Sequence, residues 1–249
     1  MRVFKERLAH DDDLLRGVMC VIPSAVSVQA MAAAGLDFIV VDREHGPIGR
    51  EMMHAMIAAT AGTSCAALVR VPSIDEDEVK AALDAGADGI VYPLIKSARD
   101  AQRCASYLAY PPEGSRGWGP FVAHARFGAS LRDYSSAVGP HLTCCVLIET
   151  AEAIAEIDAI LDVPGIDVIV IAPFDLSSSL GVEGRFDSPV FAEAVATVER
   201  AARDRLPLGG VALTREQSVA LAGREYRLLL NGFDVLMLEE SAAGFANWR

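Results

Sequence analysis

The stretch CAALVRVPSIDEDEVKAALDAGADGIVYP, residues 65–93, contains one complete period of the pattern that decides the fold. An apolar run of strand length, CAALVRV (65–71), leads into DEDEVKAALDAGA, and a second apolar run, DGIVYP (88–93), follows. The middle segment carries acids in its first turn, where they face the positive end of a helix dipole, and a glycine where the helix should stop. Strand, helix, strand in this order is the βαβ unit of a parallel sheet.

The same alternation extends in both directions. Further strand-length runs are GVMCVI (17–22), DFIVV (37–41), LTCCVLIE (142–149), DVIVIA (167–172), PLGGVAL (207–213) and FDVLML (233–238), with helical patterns such as SAVSVQAMAAAG between them. Eight strands, with a helix after each of the first seven, predict an α/β fold. No pause marks a linker and no GxGxxG follows the first strand. The pattern therefore predicts a single-domain (β/α)8 TIM barrel over residues 1–249, with an open, doubly wound sheet as the alternative. One connection breaks the rhythm: AYPPEGSRGWGPFVAHARFGASLRDYSSAVGPH (109–141) is too long and too rich in glycine and proline for an ordinary loop. It is expected to be an insertion at the active site.

The composition narrows the function. At 249 residues the chain can bury a large core, and 52% hydrophobic, 22% charged and 6% aromatic residues suit buried parallel strands under helices and argue against disorder. A formal net charge of −12, with lysine only at positions 5, 80 and 96, opposes binding to nucleic acid or an anionic membrane and favours small-molecule partners. The five cysteines (20, 65, 104, 144 and 145) form no CxxC or Cys/His cluster and read as buried thiols of a reducing compartment. The N-terminus lacks an apolar signal core, and no apolar run approaches the roughly 18 residues of a membrane span. A cytoplasmic location is expected.

In a barrel, the catalytic groups sit at the carboxyl ends of strands. Those ends carry Asp42, Arg43, Glu44 and His45 after the second run, Arg70 at the third, Glu149 after the fifth and Asp175, in APFDLS, after the sixth. Glu149 and Asp175 lie on neighbouring strand ends with no cysteine or second histidine beside them. They are hard oxygen ligands that suit Mg²⁺, Mn²⁺ or Co²⁺ better than zinc. Two protein ligands leave coordination positions open for water and a chelating substrate, as a Lewis acid requires. Taken singly, each acid also reads as a cap on the helix that follows it. Arg70 suits a substrate carboxylate or a developing oxyanion, or an ion pair with Glu149 or Glu44. His45 suits a general base, or a loop histidine bonded to backbone. Asp84 falls near the end of the helix in the opening stretch, where a solvated face explains it. A Schiff-base mechanism needs a lysine on a strand end; only Lys96 comes near, and a surface position explains it better.

GLDFIVVDREHGP, LVRVPSIDEDEVKAALDAGADGIVYPLI, YPPEGSRGWGP, LIETAEAIAEIDAILDVPGIDVIVIAPFDLSSSLG and GGVALT, in this order from about residue 15 to about 240, resemble the HpcH/HpaI family of metal-dependent (class II) 2-keto acid aldolases. The resemblance implies a (β/α)8 barrel lyase that forms or cleaves a carbon–carbon bond between a 2-keto acid such as pyruvate and an aldehyde, through a metal-bound enolate. It also implies a homo-hexamer built as a trimer of dimers, with the last helix exchanged between neighbours. Residue by residue, it implies Glu149 and Asp175 as metal ligands (magnesium, manganese or cobalt), Arg70 on the keto oxygen and His45 as base. It implies further that Asp84 pairs with His45, that Asp42 lies near the metal's water, that the Phe174 and Asp175 amides receive the substrate carboxylate, and that Gly117 to Pro120, including Gly119, line the pocket. The chain departs from the family pattern at Leu147, where glutamine is common, at Phe174, where a small residue is usual, and at LMLEES (236–241), where many relatives have Gly-x-Asp near the last strand. An oxaloacetate-type decarboxylase using the same enolate and a non-catalytic keto-acid-binding barrel are the alternative functions.

Overall fold

The computed structural model describes residues 4–9 and 14–248, and in these residues eight parallel strands close into one barrel in sequence order. The strands are β1 Leu15–Cys20, β2 Phe38–Asp42, β3 Ala66–Arg70, β4 Gly89–Tyr92, β5 Thr143–Ile148, β6 Val168–Ile171, β7 Leu208–Val211 and β8 Leu228–Phe233. Closure occurs where β8 pairs with β1, with Leu15 opposite Leu228 and Gly17 opposite Leu230. The barrel is the predicted one; the open sheet is excluded.

Alternation along the strands separates two cores, because successive side chains point to opposite faces. Phe38, Val40, Ala66, Leu68, Cys145, Leu147, Val168, Val170, Leu228 and Leu230 point inward and fill the barrel. Ile39, Val41, Ala67, Val69, Cys144, Val146 and Ile169 point outward and pack beneath the surrounding helices. Phe4 and Leu8 of the helix Phe4–Ala9 join the inner cluster, with the Phe4 ring 5.5 Å from Phe38. Gly17 makes room for this contact, since a Cβ there would lie 2.5 Å from the Phe38 ring. The amino-terminal end of the barrel is thus plugged, and chemistry is left to the carboxyl end.

The opening βαβ unit forms as read. Asp75 caps the helix Glu76–Asp84 by accepting from the amides of Asp77 and Glu78. The last strand does not: β8 covers Leu228–Phe233, and FDVLML, read as a strand from 233, begins the helix Asp234–Ala246. The two apolar runs abut, and pairing to β1 selects the earlier one. Asp234 fixes the switch by accepting from the amides of Val21 and Ile22 at 3.0 and 3.1 Å. Moving the strand also supplies the Gly-x-Asp sought at LMLEES: it is Gly232, Phe233 and Asp234. The insertion at 109–141 contains two short helices, Ala123–Arg126 and Tyr134–Ala137, and a 3-10 turn, Gly139–His141. No helix among the described residues is long and apolar enough to cross a membrane.

All five cysteines are free and buried. Burial pushes the Cys65 thiol up to about 12 and moves the other four in the same direction. A raised thiol pKa leaves little thiolate at pH 8, where an ordinary exposed cysteine, at about 8.5, is well on the way to ionisation. The native protein is therefore expected to release almost no thionitrobenzoate from Ellman's reagent at pH 8, and to react at all five cysteines in guanidinium. Rapid native reaction of even one would contradict this burial.

Candidate active site

Strand parity places the polar rim. Asp42 is the next inward position after Phe38 and Val40, Arg70 after Ala66 and Leu68, and Glu149 after Cys145 and Leu147. Leu147, where the resemblance leads to glutamine, lies in this apolar filling directly below Glu149.

Asp42 and Arg70 stand side by side in the β2–β3 register. Arg70 Nε donates to Asp42 Oδ1 at 2.9 Å and Nη2 to Oδ2 at 2.6 Å, a two-pronged pair with Asp42 fully buried. Arg70 Nη1 also lies 3.0 Å from Glu44 Oε2. The Glu44 and His45 amides donate to Asp42 Oδ1 at 3.0 and 3.3 Å, so one buried carboxylate holds both the guanidinium and the turn after β2. The ion pair expected of Arg70 is present with Glu44, and the stronger one with Asp42 was not foreseen. Asp42 spends both oxygens in this way. It holds Arg70 in place.

Neither proposed metal ligand is a cap. Thr150 caps the helix Ala151–Ala155, accepting from the Ala153 amide, and Ala172 precedes the helix Pro173–Ser179 with no side-chain cap. Glu149 is buried and accepts from the Leu94 amide at 2.5 Å through Oε1, which leaves Oε2 without a hydrogen-bond partner among the described residues. Asp175 is exposed, and its carboxylate makes no hydrogen bond or ion pair to another described residue. Burial pushes the Glu149 carboxyl up to about 7 against the Leu94 amide, with the charges of Asp175 and Glu44 adding to the rise. The Glu44 carboxyl is also raised, by burial, with Arg70 opposing. Glu44 and Glu149 thus share a guanidinium that already pairs with Asp42, and Asp175 adds a third carboxylate beside them. This surplus of hard oxygen donors fits a divalent cation. The described residues contain no group of three or more His, Cys, Asp or Glu arranged to hold a metal.

His45 projects from the turn after β2 with its side chain 62% exposed and Nε2 3.8 Å from Glu44 Oε2. Within the chain, no hydrogen bond among the described residues joins it to Asp84. The Asp84 carboxylate instead accepts from Arg116 Nη2 at 3.1 Å, and a Cβ at Gly119 would lie 3.5 Å from its Oδ2. Arg116 is the residue that sequence reading missed: fully buried, it lies 4.7 Å from the Tyr110 ring centroid and 5.5 Å from that of Tyr134, and anchors the insertion at Asp84. No periodicity marks a lone arginine among glycines. The contact places Gly119 and the buried Pro120 beside Asp84, on the β3 side of the barrel. Lys96 is exposed, with Glu152 at 3.6 Å, as a surface lysine should be. Phe174 stands beside Asp175, its ring 5.6 Å from Phe186 and 6.4 Å from Phe233.

Residues 19–240 match the family described as HpcH/HpaI aldolase/citrate lyase. The hydroxypyruvate/pyruvate aldolase of Roseovarius nubinhibens is 31% identical over 99% of this chain and 96% of its own length. The 2-dehydro-3,6-dideoxy-6-sulfogluconate aldolase of Pseudomonas putida is 30% identical over 91% of this chain and 89% of its own. The crystal structure of a family protein from Burkholderia cenocepacia superimposes with a TM-score of 0.92 at 30% identity, covering 97% of this chain and 96% of the other. The chain therefore belongs to the HpcH/HpaI aldolase/citrate lyase family, and with it to the enzymes that make and break carbon–carbon bonds.

Proposed function

We propose that this protein is a class II aldolase that joins or cleaves the bond between C3 of a 2-keto acid, of the pyruvate or hydroxypyruvate type, and the carbonyl carbon of an aldehyde. The observation that carries this reading is the meeting of the open carboxylates of Glu149 and Asp175 with a rigidly held Arg70 at one rim. The relatives described above are named as aldolases, which favours aldol chemistry over decarboxylation or simple binding.

Glu149 and Asp175 would hold an Mg²⁺, Mn²⁺ or Co²⁺ ion, which when bound supplies Lewis-acid polarisation of the keto group. The rest falls to the chain's own groups. Arg70 spends Nε and one bond from each terminal nitrogen on Asp42 and Glu44, and a guanidinium carries five N–H donors. Two N–H bonds are left for the keto oxygen, where negative charge builds as C3 loses its proton. His45 is the base that takes this proton. The Phe174 and Asp175 amides receive the substrate carboxylate, whereas Gly119 and Pro120, beside Asp84 at the carboxyl end of its helix, lie away from this rim within one chain.

The test needs no aldehyde. Pyruvate in D₂O should exchange its methyl protons with protein and Mn²⁺, and exchange should stop in EDTA. Equal exchange in EDTA would overturn the metal role. His45→Ala should slow the exchange by about 10²- to 10⁴-fold, the usual contribution of a general base, while Mn²⁺ binding by calorimetry persists. A His45→Ala variant that exchanges at the wild-type rate would remove His45 from the mechanism.

The assembly belongs to the same reading. The helix Asp234–Ala246 and the residues after it expose Val235, Leu236, Met237, Leu238, Phe245 and Trp248, more apolar surface than a lone helix in water tolerates. A hexamer, as a trimer of dimers that exchange this helix, covers it, and light scattering should return six times the 26.5 kDa chain mass. The five buried thiols support action in a reducing, cytoplasmic compartment.

A further inference from the structure

The barrel mouth is divided. The last inward positions of β2, β3 and β5 lead to Asp42, Arg70 and Glu149, whereas those around β6, β7, β8 and β1 end in Ala172, Val211, Phe233 and Val21, all packed on the inner apolar cluster. Asp234, at the foot of that half, is buried and spends its oxygens on the Val21 and Ile22 amides, and the acids that flank the rings, Asp175 and Asp187, add negative charge beside them. An aromatic ledge covers the apolar half: Phe174 packs edge-on against Phe186 at 5.6 Å and tilts over Phe233 at 6.4 Å, and Phe186 is backed by Phe191 at 5.5 Å. Phe174 and Phe186 nonetheless remain 43% and 41% exposed. The neighbouring cation, Arg185, is turned back onto the Gly181 carbonyl at 3.2 Å.

Two rings held at fixed angles, backed by other rings and open to the mouth beside Asp175, form a preformed apolar wall that offers edge and face contacts to a third ring. The rings themselves offer a carboxylate-bearing or polyhydroxylated aldehyde no polar partner, and packing on them costs it hydration. We infer that the acceptor side of the site takes an aldehyde whose substituent is an aromatic ring, seated on Phe174 and Phe186. This rests on the aldolase reading and names its second substrate class. In the addition, the C3 proton goes to the base, C3 bonds to the aldehyde carbon and the aldehyde oxygen takes up a proton. One keto acid and one aldehyde give one 4-hydroxy-2-keto acid, with nothing oxidised, reduced or lost.

The test compares benzaldehyde, glycolaldehyde and succinic semialdehyde as acceptors for pyruvate with the Mn²⁺-loaded protein. The expected kcat/KM for benzaldehyde exceeds the other two by at least about 10-fold, within the range that apolar pocket contacts provide. Phe186→Ala should collapse that preference, chiefly through the KM for benzaldehyde, and Phe186→Leu should restore part of it. Equal kcat/KM for the three aldehydes overturns the inference. So does a Phe186→Ala protein, folded by circular dichroism, whose preference is unchanged, and a changed oligomeric state with the preference intact would assign the ledge to a subunit contact. Pyruvate proton exchange by the wild type separates the two levels: exchange without aromatic preference sinks the ledge alone, and absence of exchange sinks the aldolase reading and the ledge with it.

Discussion

Asp42→Ala should destabilise the protein by about 3–5 kcal/mol and suppress pyruvate exchange to the level of an Arg70→Ala protein. Removing one partner of a buried ion pair leaves the other charge without compensation, and that cost exceeds the net worth of the intact pair. Here the stranded charge is Arg70, which loses both bonds to Asp42 and keeps only the contact with Glu44. The Glu44 and His45 amides lose their acceptor in the same step, so the turn that carries the base loosens together with the guanidinium. At roughly 2–4 °C per kcal/mol for a chain of this size, the thermal midpoint should fall by about 10 °C. Asp42→Asn keeps one oxygen for the turn but loses the charge, and should fall between the two. An Asp42→Ala protein with native melting and native exchange would show that the pair neither supports the fold nor aims Arg70.

Glu149→Gln and Asp175→Ala should each weaken Mn²⁺ binding by more than the roughly 10- to 100-fold typical of losing a group that only supports a ligand, and exchange should fall with occupancy. Their effects on the fold should differ. Asp175 is exposed and its carboxylate is bonded to nothing else described, so its loss should leave the melting temperature of the metal-free protein near the wild-type value. Glu149 is buried, with its carboxyl raised to about 7 and bonded to the Leu94 amide, and glutamine keeps an oxygen for that amide while removing a charge whose burial is unfavourable. The metal-free Glu149→Gln protein should therefore melt no lower than the wild type at pH 8, where the native carboxylate is ionised. Calorimetric titration with Mn²⁺ and thermal scans in EDTA read both quantities. Full Mn²⁺ affinity in Asp175→Ala would remove that residue from the ligand set.

The strands whose reading succeeded share a property that the last one lacks. CAALVRV and DGIVYP are each bounded by a helical segment with its own start and stop signals, so an error of one or two residues at an end changes nothing. Leu228–Phe233 and the run from Phe233 to Leu238 touch, and the Asn231–Gly232 pair that locally reads as a turn lies inside β8 instead of ending it. Local pattern then misleads, and the hydrogen-bonding edge of β1 makes the choice. The site divides along the same line. Arg70 and Glu149 were legible because each ends a clean strand. That Asp42 would bond Arg70 follows from the parity of Phe38, Val40 and Asp42 against Ala66, Leu68 and Arg70, together with a register that only the sheet supplies. The bond between Arg116 and Asp84 joins groups 32 residues apart, and no local rule reaches that far.

Sequence by itself determined the βαβ rhythm, the apolar filling of the strands and the polar residues at their carboxyl ends, because periodicity and helix-stop signals act over a few residues and need no partner. Tertiary structure alone decided which apolar run closes the barrel, which acid holds Arg70, where the insertion is anchored, and that the mouth has one charged half and one aromatic half. Each of these depends on which strands become neighbours, and adjacency exists only once the barrel has closed.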